Sequence, residues 1–166
     1  SGEGFYILQL VLEEGLKLDV GAEMARRLFT PFGLTRTSMQ WRTDFRPDLA
    51  DGFGVDGKVE PHDERSGASA AGSMDTSIED QARLWAAIVR GDGITPASRA
   101  EFARPQFPIT SRAQFPTLDS TRGTFDTSVG LSAGLGVVTF RDPSGPAWFK
   151  GGHNDWTGNM VVCLET

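Results

Sequence analysis

At 166 residues, 39% of them hydrophobic, the chain is about one domain long and has enough apolar side chains to bury a core. Its net charge of −6 argues against a nucleic-acid partner, because a phosphate backbone calls for a basic stripe. The longest apolar word, Phe5 to Leu12, is broken by Gln9 and falls far short of the ~20 residues that span a bilayer, no signal peptide is visible, and the single cysteine, Cys163, rules out an internal disulfide and a Cys-rich zinc site.

The chain lacks an initiator Met, opens on SGEGF directly before a helical pattern and stops at CLET inside a strand-like run, so both ends are expected to be cuts in a longer protein. Gly4 to Glu14 carries Phe5, Leu8, Val11 and Leu12 at helical spacing, and Gly15 is the expected stop, since glycine accepts the left-handed conformation at a helix end. Asp19 is placed to cap a second helix from Val20 to Phe29, ended by Pro31 and Gly33. Thr37 to Gly57 reads as turns and short extended pieces, and Lys58 to Gly72 as a polar, Gly-rich loop.

The stretch ASAAGSMDTSIEDQARLWAAIV, Ala68 to Val89, reads as a tight loop feeding a capped helix. Thr76 and Glu79 have the spacing of a capping box, and Ile78, Ala82, Trp85, Ala86 and Val89 fall on one helical face. Gly91 closes that helix at Arg90, and Pro96 to Ala103 is a short fourth helix. Pro105 to Val129 is irregular and rich in Pro, Thr and Ser, either a functional insertion or a surface connection. Leu135 to Phe140 reads as a strand, Asp142 to Gly145 as a turn, Ala147 to Lys150 as a second strand and Asn159 to Leu164 as a third. Helices followed by antiparallel strands are the order of an α+β fold: residues 1–104 mainly helical, 105–133 irregular and 134–166 sheet, all parts of one domain.

His62-Asp63-Glu64 and His153-Asn154-Asp155 are the His-bearing polar clusters, but they are far apart in sequence and neither has the one-turn His spacing of a zinc helix, so no metal site is expected. Lys150-Gly151-Gly152-His153 is Gly-rich without a following helix to present N–H groups to a phosphate, and no cofactor is expected. A serine nucleophile needs a base beside it, and the chain has neither a G-x-S-x-G elbow nor an S-x-x-K pair. The remaining candidate is the run Phe149 to Asp155 at the edge of a predicted strand, where glycines allow close approach of a substrate or another backbone. Its alternative is a Gly-rich β-turn carrying a solvated histidine.

Several words, in order, resemble the serine β-lactamase-like hydrolases, a family of class C β-lactamases, low-molecular-weight penicillin-binding proteins, esterases and D-aminopeptidases. Ser1 to Glu13, SGEGFYILQLVLE, resembles the family's second motif and its helix; LFTPFGLTRT at 28–37 resembles I-F-x-P-L-G-M-x-x-T; LADGF at 49–53 resembles L-A-x-G-Y; ASAAGSMDTSIEDQAR resembles S-A-A-G-G-L-x-S-T-A-x-D-L-A-R; GLGV at 134–137 resembles G-L-G-W; and Gly152-His153-Asn154-Asp155 stands at the third motif, K-T-G in many members and H-x-G in others. The resemblance implies a β-lactamase/transpeptidase-like fold, incomplete at both ends, from a serine hydrolase that works through an acyl-enzyme. It places the nucleophilic Ser and base Lys of S-x-x-K, and the Tyr of the second motif, upstream of Ser1. It puts His153 in a catalytic position, with Lys150 as runner-up, and Lys150, Gly151, Gly152, Asn154, Asp155, Ser1 and Gly2 along the substrate.

Gly2 in the usual Asn slot and Asp155 in a Gly slot favour an esterase or peptidase-like member over a true β-lactamase. The same departures suit the alternative, a non-catalytic binding module on a degenerate version of the fold. The implied partner is a small-molecule or peptide substrate. A periplasmic or secreted location would suit the family, and an isolated fragment is expected to self-associate through uncovered helix faces and sheet edges.

Overall fold

The computed structural model describes residues 2–110 and 128–165, and the fold is α+β. Two compact units are present, one formed by residues 1–87 with the short stretch 154–157, the other by residues 88–153 with 158–166. Ser1 and most of the irregular stretch expected at 105–133 lie outside the described residues.

The first unit is helices and short pieces. Helix α1, Gly2–Leu10, runs on through a π-type turn, Val11–Gly15. The residue that takes the left-handed conformation is Lys17, φ 55°, and not Gly15; the Leu18 N–H closes on the Leu12 carbonyl at 3.0 Å. The inward line also differs from the apolar spacing. Phe5, Gln9, Leu12 and Glu13 are half-buried, while Leu8 and Val11 are exposed. Gln9 turns inward because its amide holds the loop twice: it donates to the Ala68 carbonyl at 3.0 Å and accepts from the Ala70 N–H at 2.9 Å, while also donating to Glu13 at 3.0 Å. The residue that broke the apolar word is the one that docks the Ala68–Gly72 loop.

Helix α2, Val20–Met24, begins as expected, with the Asp19 carboxylate accepting the Ala22 N–H at 2.7 Å, and continues as a π-type turn, Ala25–Phe29. Gly33, φ 65°, ends it, and the Leu34 N–H returns to the Phe29 carbonyl at 2.8 Å. Glu23 on this helix is hydrogen-bonded by Arg26 and then by Arg27, which hold its carboxyl down at about 2. A 3-10 helix, Thr43–Asp48, buries Phe45 under the guanidinium of Arg42, 4.5 Å from the ring centre. Strands β1, Gly52–Phe53, and β2, Val59–Glu60, form a small antiparallel hairpin, β2 lying inside the stretch read as loop.

Helix α3, Ile78–Arg90, has its cap one residue later than the capping-box spacing suggests. Ser77 Oγ accepts the Asp80 N–H at 3.2 Å, while Thr76 Oγ1 pairs with Thr37 Oγ1 at 2.8 Å and Glu79 pairs with Arg83. The helix is also rotated away from the expected face. Its buried residues are Asp80, Leu84 and Ala87, whereas Ile78, Ala82 and Ala86 are exposed and Trp85 and Val89 only half-buried. The cause is Asp80. Only 3% exposed, its carboxylate accepts the Arg36 N–H at 2.7 Å and the Thr37 hydroxyl at 2.8 Å, so the helix must face those donors. Val20, Phe29, Leu34, Met39, Phe45, Leu84 and Ala87 are the buried apolar residues of this unit.

The second unit is a five-stranded antiparallel sheet with helix α4, Pro96–Phe102, whose N-cap Thr95 accepts the Ser98 N–H at 3.1 Å. The strands are β3, Phe107–Pro108; β4, Ser132–Ala133; β5, Val138–Asp142; β6, Gly145–His153; and β7, Gly158–Leu164, neighbours in that order. Strand β4 was not expected, and β5 starts three residues late because Gly136, φ 87°, makes the turn between them. The Asp142–Gly145 turn forms as read: Asp142 Oδ1 accepts the Ser144 hydroxyl and N–H, bonds that hold its carboxyl below the usual range. Trp148 is the anchor of this unit, 1% exposed, its ring edge-on to Phe102 and its indole N–H on Glu165 at 3.1 Å.

Two substitutions test the rotation of α3. Asp80→Ala removes the acceptor of the part-buried Arg36 N–H and leaves the buried Thr37 hydroxyl with Thr76 alone, and is expected to cost roughly 2–4 kcal/mol. Ser77→Ala should cost about 1 kcal/mol, the size of an N-cap, and Glu79→Ala only a few tenths of that scale for an exposed i,i+4 pair. Urea unfolding followed by circular dichroism ranks them; Glu79→Ala proving the most damaging would restore the Thr76 capping box.

Candidate functional site

The run Lys150-Gly151-Gly152-His153 is strand, not turn. All four residues belong to β6 and pair in register with Val161, Met160, Asn159 and Gly158 of β7. The Gly-rich β-turn is therefore excluded, and the turn starts one residue later. Glycine is tolerated because β7 supplies the ladder hydrogen bonds, and at Gly152 there is open space where a side chain would be. His153, the last residue of β6, is exposed. Lys150 is half-buried, its ammonium donating to the neighbouring Gly151 carbonyl.

Asn154 to Thr157 form the four-residue turn to β7. Asn154 Oδ1 accepts from the Trp156 N–H at 2.9 Å, the Thr157 N–H at 2.8 Å and the Thr157 hydroxyl at 3.1 Å, and the Asn154 N–H donates to the Thr157 carbonyl at 3.0 Å. This is an Asx turn, with the side-chain carbonyl spent on the backbone. Asp155 is exposed at the turn's tip. The turn rests on β1: the Phe53 N–H donates to the Trp156 carbonyl at 3.2 Å, and a Cβ placed on Gly52 would lie 2.9 Å from the Trp156 Cβ. One placed on Gly54 would lie 3.1 Å from the indole ring at Cζ3. That explains the glycine of the LADGF word, since any side chain there meets the turn.

Of the sequence-predicted site residues, the structure brings Lys150, Gly151, Gly152 and His153 into one strand and gives Asn154 and Asp155 to the turn that follows. Gly2 opens α1 in the first unit and is exposed. Two cavities among the described residues lie elsewhere. One of about 630 Å³ is lined by α2 and residues 33–42, including Asp19, Phe29, Met39 and Arg42; the other, of about 590 Å³, sits where α4 meets the sheet, with Arg99, Thr139, Arg141 and Glu165 on its wall. Trp156 went unnoticed in the sequence; the signal available was the spaced pair Gly52, on β1, and Gly54, just after it, which announces a close neighbour.

Cys163, opposite Trp148 on β7, is half-buried, and burial first and then Glu165 push its thiol up, so it is a poor nucleophile at neutral pH. Among the described residues no group of three or more His, Cys, Asp or Glu is gathered, and no helix is long and apolar enough to cross a membrane.

The Asx turn has a direct readout. Asn154→Ala removes three hydrogen bonds at once, and amide exchange at Trp156 and Thr157 is expected to quicken by about tenfold or more, one bond being worth about 1 kcal/mol. Asn154→Asp keeps the acceptor and should stay near the native rate. Unchanged exchange in the alanine variant would show that the turn does not depend on the side chain.

No family model matches the chain, and no curated protein matches it. Solved structures do. The octameric penicillin-binding protein homologue from Pyrococcus abyssi is similar with a TM-score of 0.76 at 13% identity, over 99% of this chain and 35% of that one. A β-lactamase/D-alanine carboxypeptidase from Pseudomonas syringae gives 0.73 at 15%, over 99% and 50%, and a D-stereospecific amidohydrolase from Streptomyces sp. gives 0.68 at 16%, over 99% and 46%. The chain shares its fold with these structures and spans between about a third and a half of their length.

Proposed function

We propose that the chain is part of the catalytic domain of a serine hydrolase that cleaves an ester, amide or β-lactam bond through an acyl-enzyme. The observation that carries this reading is the Gly151-Gly152-His153 strand end, the run that resembles the third motif, in a fold whose similar structures are a penicillin-binding protein homologue, a carboxypeptidase and an amidohydrolase. In the proposed reaction a serine hydroxyl from sequence outside these 166 residues attacks the substrate carbonyl. Its proton passes to a Lys or Tyr, also outside, and on to the leaving alcohol or amine as the tetrahedral intermediate collapses. Water then releases the acid and restores the serine. Backbone N–H groups stabilise the oxyanion.

This chain's contribution is the strand end: His153 in the hydrogen-bond network opposite the serine, with Lys150, Gly151 and Gly152 along the substrate. Gly2 and Asp155, in place of the usual Asn and Gly, support an esterase or peptidase-like specificity over a true β-lactamase. The Asn154 carbonyl is occupied by the turn, which leaves that residue a framework role beside the substrate rather than a contact through its oxygen.

The 166-residue chain and the full-length protein that carries it are assayed with a chromogenic short-chain ester and a chromogenic cephalosporin, and treated with a fluorophosphonate. The full-length protein should label and turn over the ester; the chain alone should do neither. His153→Ala in the full-length protein should lower kcat roughly 100-fold, the scale of losing one preorganised hydrogen-bond group. Labelling of the chain alone would overturn the missing nucleophile. A full-length protein inert to all three reagents would overturn the hydrolase and leave the binding module.

We infer further that the chain in isolation self-associates. β7 ends the sheet among the described residues, carries no charge or proline along its length, and exposes Met160, Val162 and Leu164 on one face. Tyr6, Ile7, Leu10 and Val11 are more than half exposed on the first helix and its extension. Octameric assembly in the Pyrococcus abyssi homologue is compatible with a fold that carries such surfaces. Light scattering should report oligomers that Val162→Lys diminishes; a clean monomer of the unsubstituted chain would refute this.

A further inference from the structure

Trp156 lies outside every word that carries the family resemblance, is 44% exposed, and yet sits against two glycines. Burial does not account for it: a tryptophan that keeps nearly half its surface in water returns little hydrophobic stabilisation for its size. Its geometry points to anchoring. The carbonyl of Trp156 takes the Phe53 N–H of β1, its own N–H goes to Asn154 Oδ1, and its indole ring passes over the bare backbone at Gly54, with the backbone at Gly52 close to its Cβ. Asn154 closes the turn on itself and Trp156 fixes the closed turn to β1. His153 is joined to this turn by a single peptide bond.

We propose that Trp156 is a positioning residue for the Gly152–His153 end of β6, acting through the Asx turn and the Gly52/Gly54 seat on β1. This rests on the hydrolase reading above. A reacting group displaced by about 1 Å can cost up to ~100-fold in rate; Asn154 closes the turn on itself, and Trp156 ties the closed turn to β1. The indole supplies a flat, rigid surface with few torsions to order, and the glycines supply a seat that no side chain can occupy.

The test uses the full-length protein with Trp156→Ala and Trp156→Phe. Trp156→Ala should quicken amide exchange at Phe53 and Thr157 and lower kcat for the ester by about 10- to 100-fold, with KM held within about twofold. Trp156→Phe, which keeps a flat ring, should recover kcat to within about threefold of the parent.

Unchanged kcat in Trp156→Ala, with an active parent, would overturn the positioning role and leave the hydrolase standing. So would unchanged exchange at both amides. A parent that neither labels with fluorophosphonate nor turns over ester overturns both readings together.

Discussion

The first unit depends on a carboxylate in the wrong place for a soluble helix. Asp80 is in the first turn of α3, where a negative charge is favoured by the helix N-terminus, but it points inward and is almost wholly buried. Burying an unpaired carboxylate would cost several kcal/mol. Here it is met by the Arg36 N–H and the Thr37 hydroxyl at hydrogen-bond distance, with the Arg83 guanidinium 3.9 Å away. Thr37 in turn holds Thr76, and Ser38 and Asp75 exchange backbone hydrogen bonds as an isolated bridge. One acidic side chain thus binds the segment after α2 to the start of α3 and sets the rotation of that helix, which puts Leu84 and Ala87 in the core.

The same logic explains which parts of the fold were legible from the residues. Punctuation was legible in part: Asp19, Gly33, Gly91 and the Asp142–Gly145 turn act where local chemistry says, because caps and left-handed positions need only their immediate neighbours, whereas Lys17 takes the left-handed place expected of Gly15 and Ser77 the capping place expected of Thr76. Helix faces were not. The apolar period pointed α1 through Leu8 and Val11 and α3 through Ile78 and Ala82, and in both cases a polar residue chose another face. Gln9 and Asp80 each have partners far along the chain, at Ala68, Ala70, Arg36 and Thr37, and a window of a dozen residues holds no record of them. Hydrophobic periodicity assumes that polar means outward; it fails where a polar group finds its hydrogen bonds inside.

The site divides along the same line. That the run Lys150 to His153 stands at a strand could be read from its surroundings, and its order in the chain could be read from the neighbouring words. That it lies inside the strand rather than in the turn could not, since glycines signal turns and only pairing with β7 overrides them. Asn154 has the residue type of a substrate contact, yet its carbonyl oxygen is consumed by three donors of its own turn. Residue type says what a side chain is able to do; the local backbone decides whether that capacity is still free.

Gly52 shows how a family word acquires a physical reason. In the sequence the LADGF word only helps place the chain within a family. In the structure its glycine is a contact surface, bare because the Trp156 Cβ would be 2.9 Å from any side chain there. The second glycine, Gly54, faces the ring of the same residue, where an added Cβ would lie 3.1 Å from Cζ3 and 2.8 Å from Asp56 Oδ1. Two glycines and one tryptophan, separated by about a hundred residues of chain, specify a single seat. A seat of this kind is a steric demand, and steric demands tolerate fewer substitutions than apolar burial does, because a close-packed neighbour leaves no room to relax. The turn after His153 is therefore held by shape at β1 and by hydrogen bonds at Asn154, two constraints of different physical origin acting on the same four residues.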